Sequence, residues 1–139
     1  MSSPIRRRPH PLAAFVGGTL LLTPTVAAAD DTPTFSRDVA PILFEKCVQC
    51  HRPNQAAPMS LLSYREARPW ARGMARAVEN GDMPPWSAES EHVVFRNDLS
   101  LSAEQIATIT DWAAGGAPEG DPADLPPAPT FPEGWTLGE

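Results

Sequence analysis

Cys47-Val48-Gln49-Cys50-His51 is the run with the clearest chemistry, and it contains the only two cysteines of the 139-residue sequence. Two thiols three positions apart, followed directly by a histidine, form the Cys-x-x-Cys-His signature of covalent c-type haem attachment. Each thiol can make a thioether with one haem vinyl group, and the histidine then lies under the iron as an axial ligand. Other readings of a Cys-x-x-Cys pair are a redox dithiol, a disulfide or half of a zinc site. The redox reading wants a βαβ context, and no strand pattern surrounds this run. The zinc reading wants four ligands with a second pair at ligand spacing, whereas only His10 and His92 remain. The expected cofactor is therefore one haem c, held by Cys47 and Cys50, with His51 on the iron.

A sixth ligand has to come from Met59, Met74, Met83, His92 or Lys46. Met59 follows His51 by only eight residues, which leaves little chain to cross to the other haem face. Met74 falls four residues after Trp70 on a helical stripe, and methionine at that spacing usually fills a core. Met83 sits in Gly81-Asp82-Met83-Pro84-Pro85-Trp86, just past a helix end, where two prolines restrict the backbone. It is the expected ligand, and a thioether there favours ferrous iron. The second ring nitrogen of His51 is expected to donate to a backbone carbonyl, with Pro58 as the choice. Trp70 and Trp86 read as packing residues more than as haem lining, and Arg72 as a solvated helix residue.

The N-terminus reads as an export signal. Arg6-Arg7-Arg8 gives a basic start, 12–26 is uncharged and apolar, and Ala27-Ala28-Ala29 offers a cleavage site. The apolar stretch is short for a membrane span, and Pro24 interrupts it. Residues 1–29 are thus expected to be a signal peptide cleaved after Ala29, with the mature chain periplasmic or otherwise exported and without a stable membrane span. Cleavage leaves 110 residues carrying 8 Lys and Arg against 17 Asp and Glu, a formal charge of −9. That balance argues against nucleic acid or anionic lipid and suits a redox protein partner with a basic docking face. With so little apolar mass, the chain needs its cofactor as part of the core.

Elements that position these residues read as helices. Ser36 is placed to cap a helix running toward Cys47 with Val39, Ile42, Leu43 and Phe44 as apolar residues, and Pro41 delays or kinks it. Positions 49–62 read as a loop. Ser63 to Glu66 is a capping box, Pro69 restarts the helix, and Trp70, Met74, Ala77 and Val78 mark its buried stripe until Asn80-Gly81. Ser102 to Gln105 is a second capping box, opening a helix with Ile106, Ile109, Trp112 and Ala113 that stops at Gly115-Gly116. The expected layout is a 30–116 haem domain followed by a proline-rich tail or linker, 117–139.

Three parts, Phe35 to Leu43, Met83-Pro84-Pro85-Trp86, and Trp112 onward with the proline-rich end, resemble the monohaem cytochrome c domain that precedes copper type II, ascorbate-dependent monooxygenase-like domains in bacteria. The resemblance implies an all-α cytochrome c fold, with crossing N- and C-terminal helices around one covalent haem and with His51 and Met83 as axial ligands. The sequence stops where that family's second domain would start, as a free-standing version or a piece of a longer protein. The implied activity is electron transfer rather than independent catalysis. A haem-based gas sensor and an electron-feeding module of a larger oxidoreductase, such as a copper monooxygenase-like partner, are the alternatives.

Overall fold

A computed structural model describes residues 32–86 and 95–132. The export segment, its cleavage site, His92 and residues 133–139 lie outside them. Among the described residues the chain is helical, with no strand. No helix among them is long and apolar enough to cross a membrane.

Phe35, Val39 and Leu43, four residues apart, are all but fully buried. They form one stripe along a π-helical turn, Phe35–Val39, that runs directly into α1, Ala40–Lys46. The start is closed from within the turn. The Asp38 carboxylate accepts from the Thr34 backbone N–H at 2.6 Å and from the Thr34 hydroxyl at 3.3 Å. Ser36 is therefore not the cap the sequence suggested. It sits inside the turn at 2% exposure, because its N–H is drawn to the Glu119 carbonyl. Pro41 lies in the first turn of α1, where its missing N–H costs nothing.

α2, Tyr64–Ala67, passes through a 3-10 turn, Arg68–Trp70, into α3, Ala71–Glu79. Ser63 is the N-cap residue, but its hydroxyl bonds the Glu66 carboxylate at 2.7 Å rather than a backbone N–H. Ala71, Met74 and Val78 are the buried face of α3, while Trp70 stands 46% exposed. α4, Ala103–Ala114, opens with a complete capping box between Ser102 and Gln105. It buries Ile109 and Trp112 and packs against α3 and the π-helical turn.

Phe35 joins these parts, with its ring centroid 5.6 Å from Tyr64 and 6.1 Å from Trp112. The Pro118 carbonyl accepts from both Phe35 N–H and Trp112 Nε1, each at 2.9 Å. The Tyr64 hydroxyl donates to the Ala117 carbonyl at 2.9 Å. Every buried polar tip of this aromatic cluster thus ends on the backbone just after α4. The proline-rich tail begins as a strap laid over the start of the first helix. It continues through a short 3-10 turn, Pro122–Asp124, and later places Phe131 over the Arg52 guanidinium, 3.8 Å from the ring centroid.

Candidate cofactor site

The Cys-x-x-Cys-His run forms the turn that leaves α1. Cys47 and Val48 N–H both donate to the Leu43 carbonyl, and Cys50 and His51 N–H both donate to the Cys47 carbonyl, at 3.2 and 2.9 Å. Helical spacing then puts positions 47, 50 and 51 on one side. Val48 is fully buried and anchors the turn to the core. Arg52 fixes the same turn from below, its Nη1 donating to the Val48 and Gln49 carbonyls. The loop that follows folds back, with Ala57 N–H on the Cys50 carbonyl and Leu61 N–H on the His51 carbonyl.

Cys47, Cys50 and His51 line one cavity of about 490 Å³, and Met83 lines it with them. Its remaining wall is largely apolar, including Ala57, Pro58, Trp70 and Leu99. A second cavity of about 230 Å³ shares His51, Met59, Trp70 and Met83 with the first and is otherwise walled by core residues such as Leu43 and Ile109. The combined space is of the size and polarity of a small-molecule or cofactor site.

Met83 is positioned by the end of α3. Asp82 N–H reaches the Ala77 carbonyl at 2.8 Å and Gly81 N–H the Val78 carbonyl at 3.2 Å, a Schellman closure that needs the φ of +74° found at Gly81. Met83 N–H then donates to the same Ala77 carbonyl at 3.1 Å. The Met83 side chain is 43% exposed. Met59, set aside in the sequence for its short tether, lines both cavities as well, because its loop is pulled back onto the motif. Met74 is core, 9% exposed. Lys46 lines the larger cavity too, but its Nζ donates to the Asp98 carbonyl at 2.9 Å and pairs with Glu45. Trp70 lines both cavities instead of packing into the core, whereas Trp86 stacks edge-on against Phe95 at 5.8 Å.

His51 Nδ1 is buried without any hydrogen-bond partner. The expected bond to a backbone carbonyl is not made, and Pro58 serves as cavity wall rather than as acceptor. A buried ring nitrogen without a partner is costly, and Nδ1, closed off from the cavity, is not the nitrogen that could bind a group there. Neither cysteine is in a disulfide. Burial first, and the neighbouring Cys50 second, push the Cys47 thiol up to about 11. It stays protonated at neutral pH, unlike the acidic thiols of redox dithiol motifs. Among the described residues no group of three or more His, Cys, Asp or Glu is arranged to hold a metal ion.

Gly73 is the site residue that sequence reading missed. It lies within α3, lines the smaller cavity, and a Cβ built on it meets nothing within 4 Å. Glycine inside a helix costs about 1 kcal/mol relative to alanine, and no close neighbour in this structure requires it. What it leaves is open space beside His51 and Met83. Two thiols, an imidazole, two thioethers and an apolar slot kept clear by a glycine are a donor set and a space that fit a flat apolar group with a metal at its centre. No protein-family model matches the chain, and no curated protein or solved structure matches it either.

Proposed function

We propose that this chain is an exported electron-transfer protein carrying one c-type haem, attached through Cys47 and Cys50 and ligated by His51 and Met83. The observation that carries the reading is the convergence of these four side chains on one apolar cavity of about 490 Å³. Bound there, haem iron supplies one-electron exchange between its ferrous and ferric states. The chain's own residues do the rest. Cys47 and Cys50 would fix the group to the turn that Val48 and Arg52 hold, and the imidazole of His51 would be one ligand. Met83 offers a neutral thioether from a loop braced on Ala77. Ala57, Pro58, Leu99 and Trp70 would lay apolar surface against the group, and apolar surroundings disfavour the more highly charged ferric state. Over the formally −9 mature surface, a redox partner with a basic face is the counterpart we expect. We read the protein as an electron carrier, or as the electron-feeding module of an oxidoreductase system, rather than as an enzyme in itself.

A second reading, a haem-based gas sensor, draws on the 43% exposure of Met83, since an exposed ligand is more easily displaced. An absorption spectrum of the exported, dithionite-reduced protein before and after carbon monoxide separates the two. Sharp c-type bands that the gas leaves unchanged are expected for a closed His51/Met83 iron. A clear shift on adding the gas would instead favour the sensor.

A further inference from the structure

The sign of the whole molecule conceals a local exception. Arg68, Arg72 and Arg76 follow one another at four-residue intervals along the 3-10 turn and α3, and all three are exposed. At about 100° per residue they fall within one narrow face, roughly 12 Å long. That face points away from the core side of Ala71, Met74 and Val78. None of the three side chains makes a hydrogen bond or an ion pair among the described residues.

This face is not a simple convex surface. Arg72 and Arg76 line a groove of about 650 Å³ between α3 and α4, whose other wall is Thr110, Ala113 and Ala114. Arg68 and Arg72 line a second cleft of about 280 Å³ that continues past Ala113 to Gly116. Arg72 and Ala113 belong to both, so the two clefts run on from each other. One wall of the groove is therefore arginine and the other small side chains that let a backbone come close. Glu79, at the α3 C-terminal end of the arginine wall, puts one opposing charge at that end of the groove.

From this we infer that the α3–α4 groove docks an acidic helical segment of a partner protein. A helix with carboxylates at i, i+4 and i+8 repeats the arginine spacing and presents two oxygens to each guanidinium. A helix laid in a groove between two others is a common recognition mode. The remaining surface, formally acidic overall, repels free polyanions and anionic membranes at long range. Within a screening length of about 8 Å, only a segment seated in the groove meets the arginines first. The surface is separate from the cysteine cavity, so the inference stands whether or not the haem reading holds.

The test is fluorescence anisotropy with the full, exported chain and a labelled helical peptide bearing glutamate at i, i+4 and i+8. The probe is compared with its lysine counterpart, inorganic phosphate and vesicles of anionic lipid. The inference expects saturable binding of the glutamate peptide that falls about tenfold or more in R72E/R76E and weakens as salt rises. The lysine peptide is expected to bind R72E/R76E better than the unaltered chain, a charge swap that shows the variant is folded. Equal binding by the unaltered chain and the variant, no binding at all, or tighter binding of phosphate or vesicles than of the peptide overturns it.

Discussion

At the scale of single residues, the proposed ligands and the open space beside them come from different residues. Met83 and Met59 both border the cavities that His51 lines, yet only Met83 is braced on a helix end. Met83→Ala is expected to turn a carbon monoxide-silent reduced spectrum into a gas-responsive one. An unchanged, silent spectrum would pass the ligand role to Met59. Gly73 makes the complementary case. Gly73→Ala adds one carbon to open space and is expected to keep the haem while stabilising α3 by about 0.5–1 kcal/mol. Gly73→Leu fills the slot and is expected to lower haem incorporation sharply, read as the ratio of haem absorbance to protein, with helix content retained.

At the scale of elements, the first helix depends on an internal cap. Burial pushes the Asp38 carboxyl up. The Arg37 side chain, the Thr34 N–H and the Thr34 hydroxyl outweigh it, and hold the group below its ordinary value of 3.8. The folded-state value being the lower one, the cap contributes fully above pH 3.8 and is lost as pH falls through the folded-state value. Asp38→Asn is expected to lower the denaturation midpoint at neutral pH, and its stability is expected to fall less than the unaltered chain's between pH 5 and 3. A parallel fall in both would remove Asp38 from this role. Much of this level was legible in advance. The capping box at Ser102, the stops at Gly81 and Gly116, and the turn-forming prolines act through their nearest neighbours, so a local pattern reveals them, whereas at Ser63 a side-chain bond to Glu66 takes the place of the expected box. Ser36 misled because its fate is set by Glu119, a residue remote in sequence. Trp70 misled because helical periodicity cannot tell a core from a cavity wall, and Gly73 was silent because a glycine's value there is the volume it leaves empty.

At the scale of the whole molecule, the strap after α4 belongs to the packed unit. Pro118 and Ala117 carbonyls satisfy Trp112, Tyr64 and Phe35, and Gly120 at φ +80° passes so close to Thr34 that a Cβ would lie 2.6 Å from its side chain. Gly120→Ala is expected to cost about 1–3 kcal/mol by denaturant titration. Deleting 117–139 is expected to cost far more than deleting 133–139, since only the longer deletion removes these acceptors. Equal midpoints for the two truncations would mean that the strap carries no stability.

The central claim, covalent haem at Cys47 and Cys50, is tested most directly by the intact mass of the exported protein after extraction with acidified organic solvent. The account predicts a mass raised by one haem that resists extraction, and no such increase in Cys47→Ser/Cys50→Ser. A bare polypeptide mass from cells competent in c-type haem attachment, or haem that the solvent removes, would contradict it.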